Sequence, residues 1–299
     1  MIRISCILIF VCVIGQKNLL LAQDVRLESE YKLAVDKEDV ERLWEFITNS
    51  YARSNFEIGG MSLSGTPSIE IFIDSYFDGP DEILYNEEIS LRHRKRFKDG
   101  ELLKELVQLK TPYSSDKVIR NEIKFAVSRD SDANQLYSRH PLLQLLKEVE
   151  RERLAYHLAE YKLRPEETKE AIKLKQERRR VYISDNNGES VATITLDEVH
   201  NFGIPLESFA ELELELNELR YTNAGKNERL SMTVLNDAMK SQLAENFPKL
   251  RVDQRSKYAK MHQLISGSIF SNVKENSMWL VFGLITSFSA FLFINDIIS

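Results

Sequence analysis

The sequence predicts an α+β fold: a charge-lined β-sheet with helices packed outside it, followed by a C-terminal transmembrane helix. Three observations carry this expectation. Strand-like runs recur in which alternate residues are charged, as in Leu27-Glu-Ser-Glu-Tyr-Lys-Leu33 and Glu211-Leu-Glu-Leu-Glu-Leu216, and side chains on a strand change face at every residue. Two segments carry apolar stripes at helical spacing. A final run, Met278–Ile294, is apolar except for Thr286, Ser287 and Ser289. The 299 residues have a formal charge of −6, 43% hydrophobic and 29% charged residues, a globular composition. The roughly 250 residues between the apolar ends suit one large domain.

Residues 1–23 combine a basic Arg3, an apolar stretch from Ile4 to Ile14 and small residues after it, the pattern of a secretory signal cleaved after Gly15 or Ala22. That stretch is too short to cross a bilayer about 30 Å thick. The folded domain is then expected over 24–265, a linker over 266–277 and a transmembrane helix over 278–298, with Trp279 at one interface. A cleaved signal places the domain outside the cytoplasm, anchored to the membrane. Arg255, Lys257, Lys260 and Lys274 precede the last helix and no Lys or Arg follows it, which argues for the cytoplasmic face. The extracytoplasmic side is the preferred expectation.

Between the ends, Asp36 to Tyr51 reads as a helix capped by Asp36, with Val40, Leu43, Trp44, Ile47 and Tyr51 on one stripe. Pro141 to Tyr161 reads as a second helical region. Pro165 breaks it, and a charged helical segment is expected from Glu166 to about Lys173. Loops are marked by Gly59-Gly60, Gly65-Thr-Pro67, Asp99-Gly100 and Asp185-Asn-Asn-Gly188, the last joining two β-prone runs as a hairpin.

Several kinds of chemistry are excluded. No P-loop or GxGxxG turn is present. The two cysteines, Cys6 and Cys12, lie in the N-terminal apolar run, which removes disulfides and Cys-ligated zinc, and the five histidines never form HExxH. Mild acidity argues against a nucleic-acid coat. The chemistry must come from carboxylates and cations. Glu28, Glu30 and Lys32 share one strand face, as do Arg92 and Arg94, Arg120, Glu122 and Lys124, and Glu211, Glu213 and Glu215. One such run is an ordinary solvated face. Many of them, with helices available for the apolar sides, suggest charged faces lining a lumen. Charges crowded there are costly unless neutralised, and a polyphosphate with Mg²⁺ or Mn²⁺ would neutralise both signs.

Glu28-Ser-Glu-Tyr-Lys32 resembles the ExExK signature of the CYTH superfamily, the triphosphate tunnel metalloenzymes. The later elements follow in that family's order: Tyr76-Phe-Asp-Gly-Pro-Asp81, Ser90-Leu-Arg-His-Arg94, Val107-Gln-Leu-Lys110, Arg120-Asn-Glu122, Lys175–Tyr182, Thr195-Leu-Asp-Glu-Val199, Phe202-Gly203, Phe209-Ala-Glu-Leu-Glu213 and Ser256-Lys-Tyr258. The resemblance covers about residues 25–260. The stretch Asp130–Lys173 is longer and more helical than a minimal member needs.

The resemblance implies an eight-stranded antiparallel β-barrel holding a triphosphate along its tunnel. Lys32, Arg92, Arg94, Lys110, Arg120, Arg179 and Lys257 would contact phosphate, with Arg178 or Arg180 as alternatives to Arg179. Glu28, Glu30, Glu122, Asp197, Glu211 and Glu213 would hold Mg²⁺ or Mn²⁺, since hard oxygen ligands suit those ions. Glu28, Glu30 and Lys32 would form the catalytic signature. Arg178, Lys95, Arg96 and Glu215 are expected as solvated or supporting charges, His93 as an outer packing residue, and Tyr76 and Asp78 as structural residues near the rim. The implied activity is a divalent-metal-dependent triphosphatase acting on inorganic triphosphate, a nucleoside triphosphate or thiamine triphosphate. The alternatives are a class IV adenylate cyclase, a polyphosphate polymerase, or a membrane-anchored polyphosphate-binding module without turnover. The expected partner is a triphosphate-containing small molecule or polyphosphate, with no nucleic acid and a membrane reached through the C-terminal helix.

Overall fold

The computed structural model describes residues 25–113, 119–128, 137, 139–203 and 207–267. In chain order its elements are β1 (Val25–Val35), α1 (Val40–Tyr51), β2 (Phe56–Ile58), β3 (Met61–Asp78), α2 (Ile83–Asn86), β4 (Ser90–Lys98), β5 (Glu101–Pro112), β6 (Ile119–Ala126), α3 (Glu148–Leu158), β7 (Lys169–Asp185), β8 (Ser190–Asn201), β9 (Ser208–Leu216), α4 (Glu218–Asn223), α5 (Lys226–Asn246), β10 (Arg251–Val252) and α6 (257–267). The strands form one antiparallel ten-stranded sheet. The order β1-β6-β5-β4-β3-β7-β8-β9 closes on itself because β9 also pairs with β1, bringing Lys32 opposite Glu213. Eight strands therefore make a ring with no free edge between them.

Strand parity sorts the residues. On β9 the leucines Leu212, Leu214 and Leu216 point out, into a core made with Leu43 and Ile47 of α1 and Met232, Leu235 and Met239 of α5. Leu91, Val107, Leu109, Ile123 and Phe125 likewise point out from β4, β5 and β6, under Leu154 and Leu158 of α3. With both apolar layers outside, the alternating charges have only the lumen left. A third cluster sits at one end of the ring, where α6 packs Tyr258 and Met261 onto Tyr76, Leu174 and Val199. Those three strand residues belong to the inward set, so α6 seals that end with apolar surface.

The expected fold class is corrected. The ring has the eight strands expected, but the sheet that contains it has ten: β2 pairs only with β3, and β10 only with β1, beside the ring. No helix among the described residues is long and apolar enough to cross a membrane. Even the 21-residue α5 is apolar on one side alone, burying Met232, Leu235, Met239 and Leu243 while Leu230 and Val234 alternate with polar residues on the outside. The expected signal at 1–23 and the helix at 278–298 lie outside the described residues.

Three local expectations also change. The Glu166–Lys173 segment is a 3₁₀ turn over Pro165–Glu167 followed by the start of β7, where Ile172 and Leu174 alternate toward the end cluster. Asp36 makes no side-chain cap; a 3₁₀ turn, Lys37–Asp39, leads into α1 instead. Gly65-Thr-Pro67 lies inside β3 rather than in a loop. Gly65 is there because a Cβ would fall 1.9 Å from the Tyr51 carbonyl oxygen. Pro67 is tolerated because β4 meets β3 only from Ile71 onward, leaving the Pro67 edge unpaired on that side. The expected turns at Asp99-Gly100 and at Gly188 are present, with φ of 52° and 84° for the first pair and 77° for Gly188.

Candidate active site

The ring sets two walls against each other. β4 lies four strands from β9 in either direction, and β3 lies four strands from β1. Arg92, Arg94 and Arg96 of β4 therefore face Glu211, Glu213 and Glu215 of β9 and Glu28 and Glu30 of β1. The cavity between them has about 890 Å³ of space free of protein atoms, part of it open to solvent.

The basic wall is held by Asp74, on β3. Its carboxylate accepts from Arg94 Nε at 2.7 Å, Arg94 Nη2 at 2.6 Å and Gln176 Nε2 at 2.6 Å, and lies 3.5 Å from Arg92 Nη1. Arg92 Nε donates to Gln108 Oε1 at 2.9 Å, and Gln108 Nε2 donates to Glu122 at 2.6 Å. The Phe72 ring lies beneath Arg94 and Arg178, 4.7 and 4.9 Å from their guanidinium carbons. These contacts fix the guanidinium planes before any anion arrives.

Burial pushes the Asp74 carboxyl up, but the charges of Arg94 and Arg92 and the hydrogen bonds from Arg94 and Gln176 outweigh it and hold the group well below the ordinary aspartate value. A depressed acid adds stability above its unfolded pKa near 3.8, and that stability is lost as pH falls through the folded value. Asp74→Asn is therefore expected to lower the unfolding free energy by about 3 kcal/mol at pH 5, since it leaves buried cations unpaired. The gap from wild type should shrink steadily below pH 4. Urea melts of both proteins at pH 5, 3.5 and 2.5 check this, and a pH-independent gap would contradict it.

The acidic wall holds two carboxylate groups whose ligand oxygens lie within 4.8 Å of one another: Glu28, Glu30 and Glu215, and Asp197, Glu211 and Glu213. In the first, burial and then Glu213 raise the Glu30 carboxyl, despite Lys32 at 2.9 Å. Burial, then Glu28 and Glu30, push Glu215 up to about 8. Lys110 Nζ lies 2.7 Å from Glu28 Oε1. In the second, Arg178 Nε donates to Asp197 Oδ1 at 2.7 Å and its Nη2 lies 3.0 Å from Glu213. Lys257, from α6, is 2.9 Å from Asp197 and also contacts Glu211 and Glu213, while Lys260 reaches Glu211 at 2.6 Å. Burial would raise Asp197 and Glu213, but Arg178 and Lys257 keep both below the ordinary carboxylate range. One oxygen in each group, Glu28 Oε2 and Glu211 Oε1, is buried with no hydrogen bond, despite a lysine ammonium nearby. All-oxygen groups with a spare buried lone pair fit a hard divalent cation, which they could hold in place of the lysines.

Most expected site residues meet in this lumen: Glu28, Glu30, Lys32, Arg92, Arg94, Lys110, Glu122, Asp197, Glu211, Glu213 and Lys257 are all buried there. Arg179 does not. It pairs across the sheet with Leu196 and points outward, donating to Glu41 of α1 at 2.7 Å and to Glu198 at 2.9 Å. Arg178 takes the inward place, its register partner being Asp197. Arg120 is buried beside the lumen instead, in a pocket with Tyr85, Ile89 and Gln254, where its Nη1 donates to the Glu88 carbonyl at 3.0 Å. Glu122 binds Lys124 at 2.6 Å and belongs to neither carboxylate group; Glu215, expected in solvent, completes the first. Arg96 also lines the cavity, whereas Lys95 points away. His93 is on the outer face as expected, 2.8 Å from Glu105. Asp78 is structural, accepting from the Leu84 and Tyr85 amides and from Tyr258 Oη. Asp74, Gln108 and Gln176 complete the basic wall, and for Asp74 the sequence carries a signal, since Phe72, Asp74 and Tyr76 alternate with Ile71 and Ile73.

The family model described as the CYTH domain matches residues 27–227. No curated protein matches the sequence. Among solved structures, the chain is similar to a candidate adenylate cyclase from Bacillus halodurans, at 19% identity and TM-score 0.49, covering 78% of this chain and 96% of that one. It is similar to a protein from Pyrococcus horikoshii at 18% identity and TM-score 0.46, covering 79% and 98%. A candidate adenylyl cyclase from Hippeastrum, described as having a dominant triphosphatase activity, aligns at 13% identity and TM-score 0.42, over 80% of this chain and 95% of that one. With two thirds of its length matched by the family model, and the ExExK strand, the arginine strand and the paired glutamates converging on one lumen, the chain belongs to the CYTH domain family.

Proposed function

We propose that the protein is a divalent-metal-dependent triphosphatase that hydrolyses a triphosphate chain, inorganic or organic, inside the ring. The observation that carries the reading is the facing of the two walls. A phosphate chain lying on Arg92 and Arg94 presents its far side to Glu28, Glu30, Asp197, Glu211 and Glu213, which repel it unless a cation intervenes. Mg²⁺ or Mn²⁺ bound there would offset the phosphate charge and acidify a water nucleophile. The chain's own residues do the rest. Arg92 and Arg94 orient phosphate oxygens as pre-set forks. Lys32, Lys110 and Lys257 supply ammonium groups that exchange carboxylate for phosphate. In hydrolysis a water oxygen forms the new P–O bond, the bridging P–O bond breaks, and the water proton passes to a carboxylate or to solvent.

The test offers the full chain triphosphate, ATP and thiamine triphosphate with Mg²⁺, with Mn²⁺ or with chelator, and follows phosphate, pyrophosphate and cyclic AMP. Phosphate release that chelator abolishes is expected. Pyrophosphate with cyclic AMP would assign a cyclase instead, and tight triphosphate binding without product would reduce the site to a binding module. Arg92→Ala should raise the triphosphate Kd about 10-fold or more through loss of a charge-assisted contact. Its effect on the melting temperature without ligand should be smaller, since Arg94 still holds Asp74.

A further inference from the structure

A second cavity opens beside the lumen, and its buried polar groups are donors. It has about 890 Å³ of space free of protein atoms, part of it open to solvent, and Ser256 is the one residue that lines both cavities. Arg120 reaches it from β6 with only 8% of its surface exposed. Among the described residues, the guanidinium has a single partner, the Glu88 carbonyl at 3.0 Å from Nη1, so most of its N–H donors remain for a ligand. Its cross-strand neighbour Glu28 does not neutralise it, being held by Lys110 at 2.7 Å. Gln254 also lines the cavity, and its Nε2 is buried without a hydrogen-bond partner. Arg255, by contrast, is matched by Asp253 at 2.8 and 2.6 Å. Glu88 supplies the only carboxylate among the described lining residues, and it is exposed. A buried guanidinium without a carboxylate is costly until an anion arrives.

The backbone adds charge of the same sign. α6 begins at this cavity, capped by Ser256, whose Oγ accepts from the Ala259 amide at 3.1 Å and whose carbonyl accepts from the Lys260 amide at 3.0 Å. The Lys257 and Tyr258 amides then have no acceptor within the helix, and the positive end of the helix dipole borders the cavity. The remaining wall is apolar, made by Tyr85, Tyr258, Ile89 and Ala259. Orthophosphate would leave that wall against water, whereas a carboxylate on an aromatic or aliphatic body covers it.

We propose that this cavity is an accessory binding site for a small organic carboxylate, whose head meets Arg120 and Gln254 and whose apolar body lies against Tyr85 and Ile89. The site is separate from the charged lumen and independent of the triphosphatase reading. Its ligand borders the turn of α6 that presents Lys257 to Asp197.

The experiment titrates benzoate, acetate and orthophosphate into the full chain by calorimetry in chelator. Benzoate should bind saturably and about 10-fold or more tighter than acetate, the gain of covering the apolar wall. Arg120→Gln should weaken benzoate about 10-fold or more through loss of a charge-assisted contact. Gln254→Ala removes a donor that has no partner in the protein, so the fold should hold. It should weaken benzoate about 3-fold or more, and serves if Arg120→Gln does not fold. Arg92→Ala, in the lumen, should leave benzoate binding within about 2-fold. Absence of saturable benzoate binding overturns the site. So does acetate or orthophosphate bound as tightly as benzoate, or wild-type benzoate affinity in both Arg120→Gln and Gln254→Ala. Loss of benzoate binding in Arg92→Ala would place the ligand in the lumen and overturn the proposal as well.

Discussion

Glu30→Gln is expected to cut metal-dependent turnover by about 10³-fold, the scale of losing one pre-organised electrostatic group in phosphoryl transfer. Glutamine matches glutamate in shape but offers a neutral carbonyl, a weaker ligand for a hard divalent cation. The fold should tolerate it. Burial and Glu213 already raise the Glu30 carboxyl, so its ionised form is held at a cost that the amide does not carry. Binding without metal gives the sharper diagnosis. Removing a negative charge 2.9 Å from Lys32 frees that ammonium for phosphate, so Glu30→Gln should bind triphosphate as tightly as wild type, or tighter, in chelator. The combination of lost turnover and retained anion binding assigns the glutamate to metal and chemistry rather than to substrate. Wild-type turnover in the variant would sink the two-wall model, and lost anion binding would make Glu30 a structural partner of Lys32.

Glu28, Glu30 and Lys32 could be placed together from the sequence because a strand's period of two is strict and the run is uninterrupted. The same rule located Arg92 with Arg94 and Glu211 with Glu213. It did not reveal which charged faces lie inside, because enclosure comes from the closing pair β1–β9, a contact between chain segments nearly 180 residues apart. Glu215 illustrates the gap. It continues the alternation of Glu211 and Glu213 as a surface residue would, and only its register partner Glu30 places it in the lumen. Asp74 is hidden differently, as a lone carboxylate in an apolar run. Its two arginine partners are some twenty residues ahead on β4, invisible until β3 and β4 pair. The start of β7 read as helix because Glu166–Lys173 is rich in charged helix formers. The ladder to β3 overrides that local preference, running unbroken save for one bulge at Tyr76/Phe77.

The three consecutive arginines of β7 are the sharpest case, and they yield a paired experiment. Val181 and Ile183 are fully buried in the outer core. They share parity with Arg179, so that residue must point out and its neighbours in. Arg178→Gln is then expected to lower kcat/KM by about 100-fold or more. It also removes the fork on Asp197 and the contact with Glu213, leaving Asp197 with Lys257 and Glu213 with Lys257 and the more distant Lys32, which should destabilise the fold by about 3 kcal/mol. Arg178→Lys separates the two effects. It keeps a positive charge beside Asp197 and much of the stability, but a lysine cannot reproduce the two-pronged geometry, so activity should stay well below wild type. Arg179→Gln should change kcat/KM less than about 2-fold and stability by less than about 1 kcal/mol, because its partners Glu41, Glu177 and Glu198 are part-exposed surface charges. The reverse pattern, an inactive Arg179→Gln beside an active Arg178→Gln, would require β7 to sit one residue out of register. Val181 and Ile183 would then turn into the charged lumen and Arg178 and Arg180 into the apolar layer under α1, a cost that no local gain on the strand could offset.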